Sequence, residues 1–312
     1  MHVSNDISST ASDRHAYLVM AHHNFDQLCR LLELLDDERN DIYLHIDKKS
    51  RNVPYERIGK ALNKAKLYPV KRISITWGGF SMVRCEYLLM EEAIKKPHTY
   101  YHLVTGHDLP LKSQEEIHDF FVQHGGWQFI NFDSKVNSKK EVLHRHDQYR
   151  FLQDIIGRNQ GRFYDFLRRL EKYSMKAQKR LGVRRKIGKI RFYKGSALYS
   201  VTEDFVRYVL SQKKEVEHLL NYTLYSDEFF MQTLCMNSEY KDKVSPIRTR
   251  YIDWKRKPGD GGPHVFTIND FETLMESDCL FARKFDESKD NEIIMKIHDY
   301  VLNQSKKTGT DA

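Results

Sequence analysis

The chain has 312 residues, of which 40% are hydrophobic and 12% aromatic, a composition that suits a folded protein and excludes a disordered one. A formal net charge of +8 points to anionic company: nucleic acid, an anionic membrane surface or phosphorylated ligands. No apolar run approaches the roughly 18–20 residues of a membrane helix, and the four cysteines have neither zinc nor C-x-x-C spacing, so they read as reduced, mostly buried thiols.

Residues 1–13 are polar, lack an apolar signal core and read as a flexible tail before a single domain over 14–312. The expected location is cytoplasmic, with peripheral attachment at the inner face of the plasma membrane as a variant. Residues 15–21 form a short apolar run expected as a buried strand. A helix follows over 25–35 with Leu28, Leu31, Leu32 and Leu35 on one face, then a second strand over 42–46. This opening predicts an α/β domain, whose sheet binds ligands at the carboxyl ends of its strands. His22 and Asp47 both fall there. A helix over 54–66 and a third strand over 70–75 lead to Trp77-Gly78-Gly79, where two glycines permit a tight turn or close approach to a ligand. Ser81 is placed to cap a helix running to residue 95. Residues 100–105 read as a fourth strand, ending in a turn centred on Asp108. Residues 118–130 read as a helix end and a strand.

Residues 133–150 are polar and aperiodic, expected as a loop over a site. Residues 151–180 have a helical pattern. Between 168 and 194 stand twelve Lys or Arg and one acid, Glu171, beside an apolar stripe of Leu167, Leu170, Tyr173 and Leu181. Such a segment suits an anionic membrane surface; a solvated helix face is the plainer reading. A glycine-interrupted strand over 192–200 and a capped helix over 202–212 precede Tyr225-Ser226-Asp227-Glu228-Phe229-Phe230. Ser226 is expected to cap a helix, putting Asp227 and Glu228 in its first turn. The helix dipole favours carboxylates there, and an apolar wall raises a carboxyl toward a useful general base. A capped helix with an acidic first turn is also common without catalysis. A strand-like run at 247–254, a short helix at 267–274, the segment 280–286 and an amphipathic helix at 291–304 complete the chain.

In order along the chain, these segments resemble the branching glycosyltransferases (glycosyltransferase family 14): the core-2/I-branching N-acetylglucosaminyltransferases and the peptide O-xylosyltransferases, in a bacterial-type form. LHIDKKS at 44–50, TWGGFSMVRCEYLLM at 76–90, LVTGHDLPL at 103–111, YKGSALYSVT at 193–202 and YSDEFF at 225–230 each resemble a family motif, with Ser226 standing where proline is usual. YIDW, GGPHV and LFARKFD resemble segments nearer the C-terminus. The resemblance implies a GT-A-like fold: α/β, with a mixed, mostly parallel central sheet flanked by helices. Residues 14–130 would bind nucleotide and 131–312 the acceptor. It also implies inverting transfer of N-acetylglucosamine or xylose from a UDP-sugar to a glycan or lipid-linked saccharide, in bacterial surface polysaccharide assembly. No cofactor and no metal are expected, in keeping with the lack of a D-x-D element in the early half.

The resemblance carries the base that deprotonates the acceptor hydroxyl to Glu228, and the cation that offsets charge on the departing diphosphate to Lys284. The family's second basic residue, an arginine, falls on Phe266 here, so Arg283, Arg248 or Arg250 would replace it. Asp47, with His22 and the Ala21 backbone, would bind the nucleoside. Trp77, Gly78, Gly79 and Asp108 either orient the donor sugar or hold turns. Trp254 either stacks on an acceptor ring or is a buried core residue, Tyr193, Lys194 and Ser196 would contact acceptor, and Asp227 would hold an amide or the loop. A nucleic-acid binder is the competing class, but no zinc, helix-turn-helix or RNP-type element accompanies the charge, so no nucleic-acid partner is expected. A non-catalytic nucleotide-sugar-binding relative is the other alternative.

Overall fold

The seven residues of β1 (His15–Ala21) are all buried, because the strand runs through the middle of the molecule. Tyr17, Val19 and Ala21 enter one core, and Ala16, Leu18 and Met20 the other. A strand covered on both faces needs no polar alternation, and its sequence shows none. The computed structural model describes residues 13–133, 146–254 and 262–308. Parallel to β1 lie β2 (Asn40–Ile46) and β4 (Tyr100–Thr105), with β3 (Lys66–Pro69) parallel to β2. Antiparallel β7 (Gly195–Thr202) and β6 (Phe129–Phe132) complete a sheet of order β3-β2-β1-β4-β7-β6. The mixed, mostly parallel sheet flanked by helices is the architecture expected.

One face is covered by α1 (Phe25–Leu34), α2 (Tyr55–Lys60), α4 (Gln114–Gln123), α10 (Phe271–Met275) and α11 (Asn291–Thr308). The other carries α3 (Ser81–Ala93), α7 (Glu203–Ser211), α8 (Lys213–Leu220) and α9 (Phe230–Met236). A small sheet of β5 (Asp108–Pro110), β9 (Phe281–Arg283) and β8 (Arg250–Ile252), in the order β5-β9-β8, brings the turn after β4 against the C-terminal segment. Buried Arg250 ties this sheet to the main one. Its guanidinium donates to the Tyr199 carbonyl at 2.7 Å, the Leu103 carbonyl at 3.2 Å and Ser200 Oγ at 3.1 Å.

Several elements depart from expectation. The helix expected over 54–66 stops at Lys60, and the third strand is Lys66–Pro69 rather than 70–75. Proline cannot donate to a ladder; beyond it, the chain crosses the end of β2 irregularly. There Lys48 N donates to Ile73 O and Ile73 N to His45 Nε2, each at 3.0 Å. Ser81 does not cap α3. Phe80 holds the cap position, while Ser81 Oγ accepts from Thr76 N at 2.9 Å and donates to Asp154 at 3.0 Å. The helix expected over 151–180 is two: α5 (Gln153–Ile156) ends at Gly157, with φ 44°, and α6 (Arg162–Arg180) starts after Gly161, with φ 113°. Of the expected apolar stripe, Leu167 turns inward, and Arg185 is buried. A reciprocal Ser113–Glu116 capping box starts α4 at Gln114, four residues before the helix end read at 118. The strand-like run at 247–254 reduces to β8. All four cysteines are free, three of them buried. The tail, most of the loop expected at 133–150 and residues 255–261 lie outside the described residues.

At the amino ends of β1 and β4, His15 and His118 stack at 3.9 Å, and His102 Nε2 lies 3.1 Å from His15 Nδ1. Burial holds all three imidazoles down, His118 to about 4 and the others well below the usual value, although Asp13 stands 3.1 Å from His118. A folded-state value below the unfolded one means that the unfolded chain binds more protons in between. The stability these histidines contribute is therefore complete above about pH 6.5 and declines as pH falls toward about 4. Thermal melts at pH 7 and pH 5 are expected to show a loss on the order of 2 kcal/mol per buried imidazole, which His118→Asn reduces. A pH-independent melting temperature across this window rejects the account.

Candidate active site

The carboxyl ends of β1, β2 and β4 open onto a cavity of about 390 Å³. Ala21 and His22 line it after β1, Asp47 after β2, and Thr105 and His107 after β4. Trp77, Arg158 and Arg283 close it. Parallel strands that end together leave such a crevice, which is why the expected nucleotide residues gather here. The Asp47 carboxylate is fixed by backbone, accepting from Lys49 N at 2.8 Å and Ile75 N at 3.3 Å.

His22, His23 and His107 bring ring nitrogens within 4.8 Å of one another, a spacing from which three imidazoles could hold a metal ion. His107 Nδ1 donates to the Phe285 carbonyl at 2.8 Å, leaving Nε2 without its proton. Enclosure, with Lys284 nearby, holds His107 at about 3. His22 meets solvent inside the cleft, yet its walls and His23 hold it at about 4. His22 and His107 are thus neutral near pH 7, and the adjoining Lys284 and Arg283 favour an anion over a cation in this corner. A second trio, Asp13, His15 and His118, lies at the far end of the sheet.

The basic corner is built by the small sheet. Arg283 donates to Asp108 Oδ1 at 3.0 Å and to Thr105 Oγ1, while Asp108 Oδ2 accepts from Thr105 N at 2.5 Å. Asp108 is buried, and these bonds hold the turn and aim Arg283. Half-buried Lys284 follows; burial, then Arg283 and Arg158, hold its ammonium below the usual lysine range, with Asp286 opposing. Lys284 is not a lining residue, but its charge bears on His22 and His107, which are. Phe266, at the family's arginine position, is core packed against Tyr251 and Phe285. Arg250 is committed to the sheet junction, and Arg248 does not line the cavity. The extra cation is Arg158, whose guanidinium lies 3.4 Å from the Trp77 ring centroid. The sequence reading missed it; its only local signal is an arginine between two helix-breaking glycines, Gly157 and Gly161.

Of Trp77, Gly78 and Gly79, only Trp77 lines the cavity. Gly78, at φ 70°, accepts Tyr225 N at 2.9 Å through its carbonyl, and a Cβ on Gly79 would lie 2.0 Å from Asp154 Oδ1. The glycines let this turn pack against Tyr225 and α5.

Ser226 does not cap a helix. Residues Ser226–Glu228 form a single 3₁₀ turn after Tyr225, which has φ 57°, and α9 begins only at Phe230. Ser226 is buried, and its Oγ has no hydrogen-bond partner among the described residues. The pull of Gly78 on Tyr225 sets the turn, so a helix N-terminus is not what places the acids. Asp227 is buried, and its carboxyl is pushed up to about 7, first by burial and then by Glu228, with Arg283 opposing. Behind it, buried Glu86 of α3 is driven well above the usual carboxylate range by burial and by Asp227.

Glu228 is half-buried, with Lys194 Nζ 3.6 Å from Oε2; the same ammonium is 3.6 Å from Asp133 Oδ2. Glu228 is not itself a lining residue. Its turn adjoins the cavity through the Tyr225 ring, 4.9 Å from that of Trp77, and through Asp227, which feels Arg283. Among the expected acceptor residues, Lys194 and Asp227 stand beside Glu228. Tyr193 N donates to Thr233 Oγ1 at 3.2 Å, and the Ser196 carbonyl accepts from Gln232 at 2.6 Å, so these two seat α9. Trp254 is exposed, next to residues outside the description.

A family model described as Core-2/I-Branching enzyme matches residues 15–275. Xylosyltransferase 2 of Rattus norvegicus is 26% identical over 96% of this chain and 35% of its own length. The chain thus spans about a third of the length of the xylosyltransferases it matches. The beta-1,3-galactosyl-O-glycosyl-glycoprotein beta-1,6-N-acetylglucosaminyltransferase of Bos taurus is 20% identical over 94% of this chain and 70% of its own. Among solved structures, apo mouse xyloside xylosyltransferase 1 aligns with 86% of this chain and 96% of its own at 11% identity, with a TM-score of 0.36.

Proposed function

The chain belongs to the core-2/I-branching enzyme family, and on that premise we propose that it transfers N-acetylglucosamine or xylose from a UDP-sugar to a hydroxyl of a glycan or lipid-linked saccharide, with inversion. The observation that carries this reading is the pairing of one accessible carboxylate, Glu228, with a strand-end cavity whose corner is basic. Asp47 takes the nucleoside at the end of β2. Glu228 accepts the proton of the acceptor hydroxyl as its oxygen bonds to the anomeric carbon. The bond from that carbon to the β-phosphate oxygen breaks, and its electron pair leaves with UDP. Lys284, Arg283 and Arg158 offset the charge that develops there, the part a divalent ion plays in other transferases, so the reaction proceeds without one.

A screen of UDP-sugars for UDP release tests this without knowledge of the acceptor. One donor, UDP-N-acetylglucosamine or UDP-xylose, is expected to be hydrolysed slowly, with EDTA leaving the rate within about twofold. Binding of UDP with no release from any donor makes the chain a non-catalytic relative. Activity lost in EDTA and restored by manganese rejects the metal-free step and turns attention to His22, His23 and His107.

A further inference from the structure

Helix α6 packs inward through Leu167, Glu171 and Gln178. Gln178 pairs with both backbone groups of Tyr149, at 2.8 and 2.9 Å, and Glu171 accepts from Leu152 N at 3.2 Å. About a quarter-turn away runs a row that nothing in the described chain covers: Phe163, Phe166, Leu170, Tyr173 and, just past the helix end, Leu181, between 47% and 78% exposed. The spacing of three, four and three residues over 163–173 keeps the row straight on a helix surface. Arg162, Arg169, Lys176 and Arg180 follow the same periodicity along its outer edge, all exposed. The acids of the helix lie elsewhere: Glu171 is buried, and Asp165 pairs with Arg168 at 2.8 Å.

We propose that this face of α6 docks on an anionic lipid bilayer, with the aromatic and leucine side chains entering the interface and the flanking bases meeting headgroups. A row one side chain wide, rimmed by a single sign of charge, fits a continuous anionic surface. A second copy of the chain would bring the same bases face to face. The face is joined to the cavity by Gly157–Gly161, which carries Arg158 against Trp77. A bilayer under α6 would thus meet the chain within a few residues of Arg158, and a lipid-linked saccharide is the acceptor such docking would favour. That last consequence rests on the proposed transfer; the docking does not.

Co-sedimentation of the full chain with vesicles tests it. Vesicles of phosphatidylcholine with roughly one-third phosphatidylglycerol are expected to pellet the protein, pure phosphatidylcholine far less, and added salt to release it. Phe166→Ser, Leu170→Ser and Tyr173→Ser together are expected to lower the partition coefficient by about tenfold or more. Arg169→Gln, Lys176→Gln and Arg180→Gln together are expected to erase the preference for anionic lipid. Both variants are expected to keep the wild-type melting temperature and UDP affinity, so a failed transfer reaction leaves this result readable. The buried Arg185, which donates to the His218, Leu219 and Asn221 carbonyls, is left in place. Three outcomes overturn the proposal: no pelleting of the wild type on anionic vesicles, unchanged partition of the serine variant, or a wild-type dimer in solution that the serine variant abolishes.

Discussion

Glu228→Gln is expected to lower sugar transfer by about a thousandfold or more while UDP affinity stays within about twofold. Glutamine matches glutamate in shape, so the 3₁₀ turn and its contacts with Gly78 and Trp77 persist. What disappears is the capacity to accept a proton. Glu228 does not line the cavity that would hold the nucleotide, which is why binding and turnover are expected to separate. Calorimetry with UDP and a transfer assay read the two quantities. Near-normal turnover would remove Glu228 from the base role and direct attention to Asp227, the neighbouring carboxyl held at about 7. Asp227 also predicts a pH signature. As pH rises through about 7 it gains charge beside Glu228, and Asp227→Asn is expected to flatten that part of the profile for kcat.

Lys284→Ala is expected to reduce kcat by roughly a hundredfold to a thousandfold and to weaken UDP binding as well. Lys284 is the informative position because its neighbour cannot be removed cleanly. Arg283 satisfies Asp108 and Thr105, and its loss would strand a buried carboxylate. Lys284 already sits where burial and two arginines disfavour its charge, an arrangement stabilised when an anion arrives. The expected result is therefore a double loss, in UDP affinity and in turnover with saturating donor. Unchanged values for both would assign the diphosphate to Arg158 and Arg283 alone. Lys284→Arg, which keeps the charge but changes its shape, is expected to recover binding more fully than turnover.

The first half of the fold is legible in the sequence. The unbroken apolar run at 15–21 and the periodic leucines of α1 specify local backbone directly, and the ligand-binding edge follows from how parallel strands end. The ordered motifs identify the family, because each keeps its short-range spacing. What the sequence could not supply is any contact between distant segments. Asp108 and Arg283 are 175 residues apart, and only the pairing of β5 with β9 makes Asp108 the support of a candidate phosphate ligand. Ser226 carries a capping signature, yet the Gly78 carbonyl, far away in sequence, draws Tyr225 into a left-handed conformation and makes a 3₁₀ turn. Arg158 has almost no local signal, and its place over Trp77 exists only because two glycines break a helix beside the cavity. Hydrophobic period and turn chemistry act over a few residues and so can be read along the chain. The charge pattern of the cavity is a sum over segments brought together by burying the two faces of the sheet, and only the packed structure decides it.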